Sequence, residues 1–161
     1  MSDLTEHKLK ERRLSYLENY DPLTDLPNRF YYNYQLHLYL ISQQDSLQQL
    51  AVIRLNIDRF RPLNEYLSNN GGDELLRQVA QRLRITNAEA LIVAHLNGDD
   101  FAIVYEISHI RPSIEEHCER ITKAFNLPFN VQGQEHIITL SMGVSLYPEH
   151  GRQLDYLNNC A

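Results

Sequence analysis

The sequence predicts an α+β fold, helices flanking a central antiparallel sheet, and three observations predict it. Apolar, β-branched runs alternate with segments of helical periodicity along the chain. Two of those runs, 90–96 (ALIVAHL) and 101–107 (FAIVYEI), flank Asn97-Gly98, a strong hairpin signal that makes their pairing antiparallel. The 161 residues are 43% hydrophobic and 22% charged, enough for one domain with a core of its own.

Each element follows in order. Residues 4–19 read as a polar helix, with Leu14 and Leu17 as a thin apolar stripe too short to specify a coiled coil. This lead-in helix occupies residues 1–20, and the domain proper occupies 21–161. Asp21 to Arg29 (DPLTDLPNR) is a loop, with two prolines and turn-forming aspartates. A helix follows, because Phe30, Tyr34, Leu38 and Ile41 recur every three to four residues. Ser42 to Gln49 is a polar connection, and Leu50 to Ile57 (LAVIRLNI) is a buried strand. Leu75, Leu76, Val79, Ala80 and Leu83 mark an amphipathic helix. The hairpin comes next. Ile114, Cys118, Ile121 and Phe125 then mark another helix, a short strand lies near Phe129 to Val131, and His136 to Tyr147 is one long final strand.

Composition narrows the function. Fifteen basic and twenty-one acidic residues give a net charge of −6, which argues against a nucleic-acid or membrane-surface binder. Two cysteines, Cys118 and Cys160, support neither a disulfide framework nor a Cys-type zinc site. Cys118 falls on the apolar face of its helix and reads as an inert thiol. No apolar run approaches the roughly 20 residues of a membrane span. The charged start has no apolar signal core, so the expected location is cytoplasmic, with membrane attachment of a parent protein left open.

Three acidic residues stand near chain reversals: Asp58 after the first strand, and Asp99 and Asp100 in the hairpin turn. Carboxylates gathered at a strand end suit a hard cation such as Mg²⁺, although aspartate in turns is common for backbone reasons alone. His95, at a strand end, reads as a packing or hydrogen-bonding residue rather than a metal ligand. Tyr31, Tyr32, Tyr34 and Tyr39 share one helix and read as core and rim residues.

The surrounding pattern resembles the GGDEF family, the diguanylate cyclases of bacterial cyclic di-GMP signalling and their degenerate relatives. Asp21 to Arg29 is similar to D-x-L-T-G-L-x-N-R, with Asp25 where glycine is usual. Asn56-Ile57-Asp58-Arg59-Phe60-Arg61 resembles D-[LI]-D-x-F-K. Asn64 with Gly72-Asp73-Glu74-Leu75-Leu76 resembles N-D…G-D-x-L-L. Leu96-Asn97-Gly98-Asp99-Asp100-Phe101 stands where the signature G-G-[DE]-E-F belongs, and Ile138 to Ser145 resembles the penultimate strand. Gly71-Gly72-Asp73-Glu74 imitates the signature, but Leu75 follows and the apolar spacing starts a helix there, making Asp73 a first-turn residue.

The resemblance implies a nucleotidyl-cyclase-like, ferredoxin-like βαββαβ core. Active members condense two GTP, each held with Mg²⁺ by one of two facing domains. By resemblance, Asn56, the Ile57 carbonyl and Asp99 are the metal ligands, with Mg²⁺ or Mn²⁺ accompanying GTP. Asn64 and Asp73 contact guanine, Asn97 and Gly98 line the nucleotide, Arg61 approaches the phosphates, and Asp100 acts near the attacking hydroxyl. The implied partners are GTP and a second copy or an adjoining EAL or sensor domain, with no nucleic acid and no direct membrane contact.

The departures set the functional expectation. Asn56 is neutral where an active cyclase has aspartate, which weakens metal recruitment. Asn97 replaces the first signature glycine; asparagine tolerates the left-handed turn, but its side chain fills space near the nucleotide. Asp100 is shorter than glutamate, and Arg61 replaces lysine, with Pro62 stiffening the loop after it. Ala88 and Leu91 stand at the positions of the R-x-x-D inhibitory site, so product binding is not expected there. The family's final helix would begin near Cys160 and Ala161, so the domain reads as lacking its last helix. The expected function is a regulatory domain, catalytically impaired and GTP-binding. The alternatives are a slow cyclase and an interaction module without nucleotide.

Overall fold

The computed structural model describes residues 2–42, 49–107 and 114–147. These form α1 (Ser2–Asn19), α2 (Arg29–Ser42), β1 (Gln49–Ile57), α3 (Phe60–Thr86), β2 (Ile92–Asn97), β3 (Asp100–Ile107), α4 (Ile114–Ala124), β4 (Phe129–Val131), β5 (Gln134–His136) and β6 (Leu140–Tyr147). One sheet runs β2-β3-β1-β6 with every neighbouring pair antiparallel, and β4 and β5 form a separate hairpin. The order β1-α3-β2-β3-α4-β6 is the expected βαββαβ arrangement.

Strand alternation divides the core into two layers. Ala51, Ile53, Leu55 and Ile57 of β1 face Leu75, Val79 and Leu83 of α3 and Ile121 of α4. Leu50 and Val52 face the opposite way, against Tyr32, Leu36 and Leu40 of α2. Each fully buried large side chain contributes roughly 1.5–3 kcal/mol. With both faces covered, β1 sits centrally and its C-terminal end is held from both sides. That end carries the site.

Four expectations change. α2 forms, but Phe30, Tyr34, Leu38 and Ile41 are its exposed face, while Tyr32, Leu36 and Leu40 are buried. The helix is apolar on both faces, so periodicity identifies it without saying which face meets the sheet. α3 begins at Phe60, not in the seventies, and is broken at Ser68 (φ 65, ψ 172). Asp73 therefore follows a break within a helix rather than opening one. β2 starts at Ile92, because the Ala90 N–H bonds to the Asn87 carbonyl in a turn. The single final strand is two: β5 pairs with β4, β6 pairs with β1, and 137–139 joins them. The expectation about the final helix lies outside the described residues, as does most of the 42–49 connection.

α1 is exposed along most of its length but fastened at its end. The Asn28 side chain donates to the Glu18 carbonyl at 2.9 Å, and Tyr16 OH donates to Asp25. The Tyr16 and Tyr20 rings stack at 5.2 Å. No helix among the described residues is long and apolar enough to cross a membrane.

Candidate active site

The β1–β3 register sets Asn56 directly opposite Asp100. The Asn56 side-chain amide donates to Asp100 Oδ1. One residue on, the Ile57 N–H donates to the Asp99 carbonyl at 3.2 Å. Strand pairing thus gathers Asn56, Ile57, Asp99 and Asp100 at one sheet end, although 40 or more residues separate them in sequence.

The hairpin turn is built on Gly98, whose φ is +43 and whose missing side chain faces open space. Asn97 does not use the left-handed conformation that asparagine tolerates. It ends β2 paired with Asp100, after a register shift between His95 and Asn97. The bulge twists the edge strand and aims the turn.

Asp58 turns to β6. Ser141 Oγ donates to Asp58 Oδ1 at 2.5 Å, Thr139 Oγ1 donates to Oδ2 at 2.6 Å, and the Asp58 N–H donates to the Thr139 carbonyl at 3.0 Å. The Ser141 and Thr139 hydroxyls hold the carboxyl below its usual range. A cleft of about 870 Å³ opens beside it, lined by Asp58, Arg59, Pro62, Leu63 and 137–139. Arg59 precedes α3 in the left-handed conformation, φ 57. Arg61 is 92% exposed and pairs with Glu65 at 3.8 Å. It does not join the cluster around Asp100.

Asn64 and Asp73 come from opposite sides of the Ser68 break. The Asn64 side chain lies so close over Gly72 that a β-carbon there would overlap the amide oxygen. The break therefore folds Asn64 back over Gly72, the residue before Asp73. Ala88 and Leu91 line a different cleft, of about 410 Å³, with Tyr20, Tyr31 and Tyr39. There Arg84 lies 3.9 Å from Asp25.

Sequence reasoning anticipated His95 as a hydrogen-bonding residue and missed its partners. Nδ1 meets Asp21 Oδ2 at 2.5 Å, and Nε2 meets the Gly98 carbonyl at 2.7 Å. Partial burial works to raise the Asp21 pKa, but hydrogen bonds from His95 and Thr24 outweigh it and leave the carboxyl below its usual range. Asp21 and His95 are 74 residues apart, and no local signal pairs them.

The donor set at this sheet end is a poor one for the metal ions that the resemblance implies. One carboxylate, Asp99, stands with a neutral amide and a carbonyl. The Asp100 carboxylate is engaged by the Asn56 amide instead of being presented to a cation. Among the described residues no group of three or more His, Cys, Asp or Glu could hold a metal. The set does not fit divalent cations carrying a triphosphate.

The hairpin lies beside the end of the central strand of an α+β domain, and comparison with known proteins defines the family. The model described as "Diguanylate cyclase, GGDEF domain" matches residues 18–161, and the chain belongs to the GGDEF family. It is 32% identical over 146 residues to the cyclic di-GMP phosphodiesterase NbdA of Pseudomonas aeruginosa, covering 89% of this chain and 18% of NbdA. It is 31% identical over 138 residues to the diguanylate cyclase TpbB of the same species, covering 85% of this chain and 32% of TpbB. The chain thus spans less than a third of either relative. A sensory box/GGDEF family protein from Caulobacter crescentus superposes with a TM-score of 0.81 at 32% identity, covering 89% of this chain and 92% of that one.

Proposed function

We propose that this chain is a degenerate GGDEF domain that binds GTP and regulates an adjoining domain or a second copy without useful cyclase turnover. The observation that carries the proposal is the hydrogen bond from the Asn56 amide to Asp100. Asparagine leaves the metal position one charge short, and its amide engages the carboxylate assigned to the attacking hydroxyl. Asn64 over Gly72, beside Asp73, supports retained recognition of guanine. Matches to relatives named as a cyclase and as a phosphodiesterase support a role in cyclic di-GMP signalling.

The test is incubation with GTP and Mg²⁺ or Mn²⁺, with cyclic di-GMP measured by chromatography, alongside calorimetric titration with GTP. The expected result is GTP binding without product. Sustained synthesis overturns the reading in favour of a cyclase, and absence of GTP binding overturns it in favour of an interaction module. The slow-cyclase reading draws on Asp99, retained at the turn beside Ile57. Under that reading Asn56→Asp raises turnover strongly.

A further inference from the structure

The Asp21 carboxylate and the Gly98 carbonyl lie on opposite sides of one imidazole, His95, at 2.5 and 2.7 Å. Both partners accept. A carbonyl oxygen has no proton to give, and the carboxylate already receives the Thr24 hydroxyl at 2.8 Å and the Leu23 N–H at 3.3 Å. A neutral imidazole has one N–H, so it satisfies one partner and turns a lone pair toward the other. Only the imidazolium donates to both.

The ring has little freedom to choose otherwise. His95 is 8% exposed, its ring stacks on Phe101 at 4.7 Å, and its backbone N–H donates to the Pro27 carbonyl at 3.0 Å. The charged group that meets it is Asp21, from the loop before α2. β3 meets it with the uncharged Phe101 ring, and the turn meets it with a backbone carbonyl. Around Gly98 the turn is otherwise open.

We infer that His95 is a positioning residue, a two-ended tie that fixes the 97–100 turn to the loop at Asp21 and is complete only while both ring nitrogens carry protons. That loop is fastened to α1 through Asn28–Glu18 and Tyr16–Asp25, so the tie joins the lead-in helix to the signature turn. This deepens the regulatory reading and rests on it for the consequence, not for the geometry.

The test uses the whole chain without nucleotide, so its outcome is independent of GTP binding or turnover. Ring ¹⁵N resonances report which ring nitrogens carry protons, and amide exchange at 97–100 reports the protection of the turn. Doubly protonated ring nitrogens should accompany a protected turn. His95→Arg, which donates from several N–H groups, should keep the turn protected; His95→Gln, with one donor group, should raise its exchange about tenfold. A ring that is a single neutral tautomer while the turn stays protected overturns the inference. That readout needs only the unsubstituted protein.

Discussion

Asn56→Asp places two carboxylates opposite one another on neighbouring strands, where the parent has an amide donating to a carboxylate. Losing a hydrogen bond to a charged group costs about 1.5 kcal/mol. Like charges about 4 Å apart in a wet site add about 1 kcal/mol. Asn56 is exposed, so solvent discounts both, and the expected loss is about 1–2 kcal/mol. For a domain of this size that lowers the melting temperature by about 3–6 °C. The new carboxylate also makes a cation site with Asp99 and Asp100. Divalent metal at about 100 times its Kd should return about 2.7 kcal/mol to the variant and little to the parent. The assay is thermal unfolding of both proteins, with and without Mg²⁺ or Mn²⁺. Asn56→Asp combined with Asp100→Asn should recover the metal-free loss. If metal-free Asn56→Asp melts no lower than the parent, or if the parent gains as much from metal, the Asn56–Asp100 bond does not close the site as argued.

Three further outcomes follow from other parts of the molecule. Arg82 donates to the carbonyls of Ala124, Leu127 and Pro128 at 3.2, 2.6 and 3.1 Å and lies 3.5 Å over the Phe129 ring. A lysine has no planar fork to reproduce this, so Arg82→Lys should cost about 2 kcal/mol and raise amide exchange in the β4–β5 hairpin; unchanged exchange there refutes the clamp. His117 stacks on Tyr105 at 3.8 Å, and its Nδ1 lacks a partner among the described residues. Burial lowers its pKa below 6.5, so the stability it contributes is present above that pH and is lost as pH falls through the lowered value. His117→Phe should keep the stack and flatten the denaturant-measured decline below about pH 6.5; parallel curves for the two proteins count against it. Gly72→Ala should drive Asn64 from its seat and weaken GTP binding about tenfold by calorimetry. An unchanged affinity puts Asn64 outside the nucleotide contact.

Local signals carried much of the fold. Leu50 to Ile57 and Phe101 to Ile107 are strands because β-branched runs fit a sheet buried on both faces, and Asn97-Gly98 placed the hairpin between the right partners. What stayed hidden depended on distant partners. The α2 face was ambiguous because Phe30-Tyr34-Leu38 and Tyr32-Leu36-Leu40 have the same spacing, and only the sheet selects between them. The His136–Tyr147 run reads as continuous strand, yet its two ends pair with different strands. At the site, the motif pattern placed Asn56, Asp99 and Asp100 together. It could not show the amide facing Asp100, nor His95 spanning 74 residues to Asp21.

The hydrogen bonds at this sheet end separate positioning from chemistry. Asp58 on Thr139 and Ser141, Ile57 on Asp99, and His95 between Asp21 and Gly98 all act on backbone placement. None of them needs a metal ion. Opposed aspartates at 56 and 100 would repel in the resting protein until metal bridged them, whereas asparagine satisfies Asp100 at once. On the proposed reading, asparagine at 56 therefore removes both the demand for metal and the resting repulsion. On that reading the turn is held in shape whether or not nucleotide and metal are present. By this reasoning a single return to aspartate restores charge to the metal position but reintroduces repulsion, and its gain in metal affinity should be partly offset in metal-free stability.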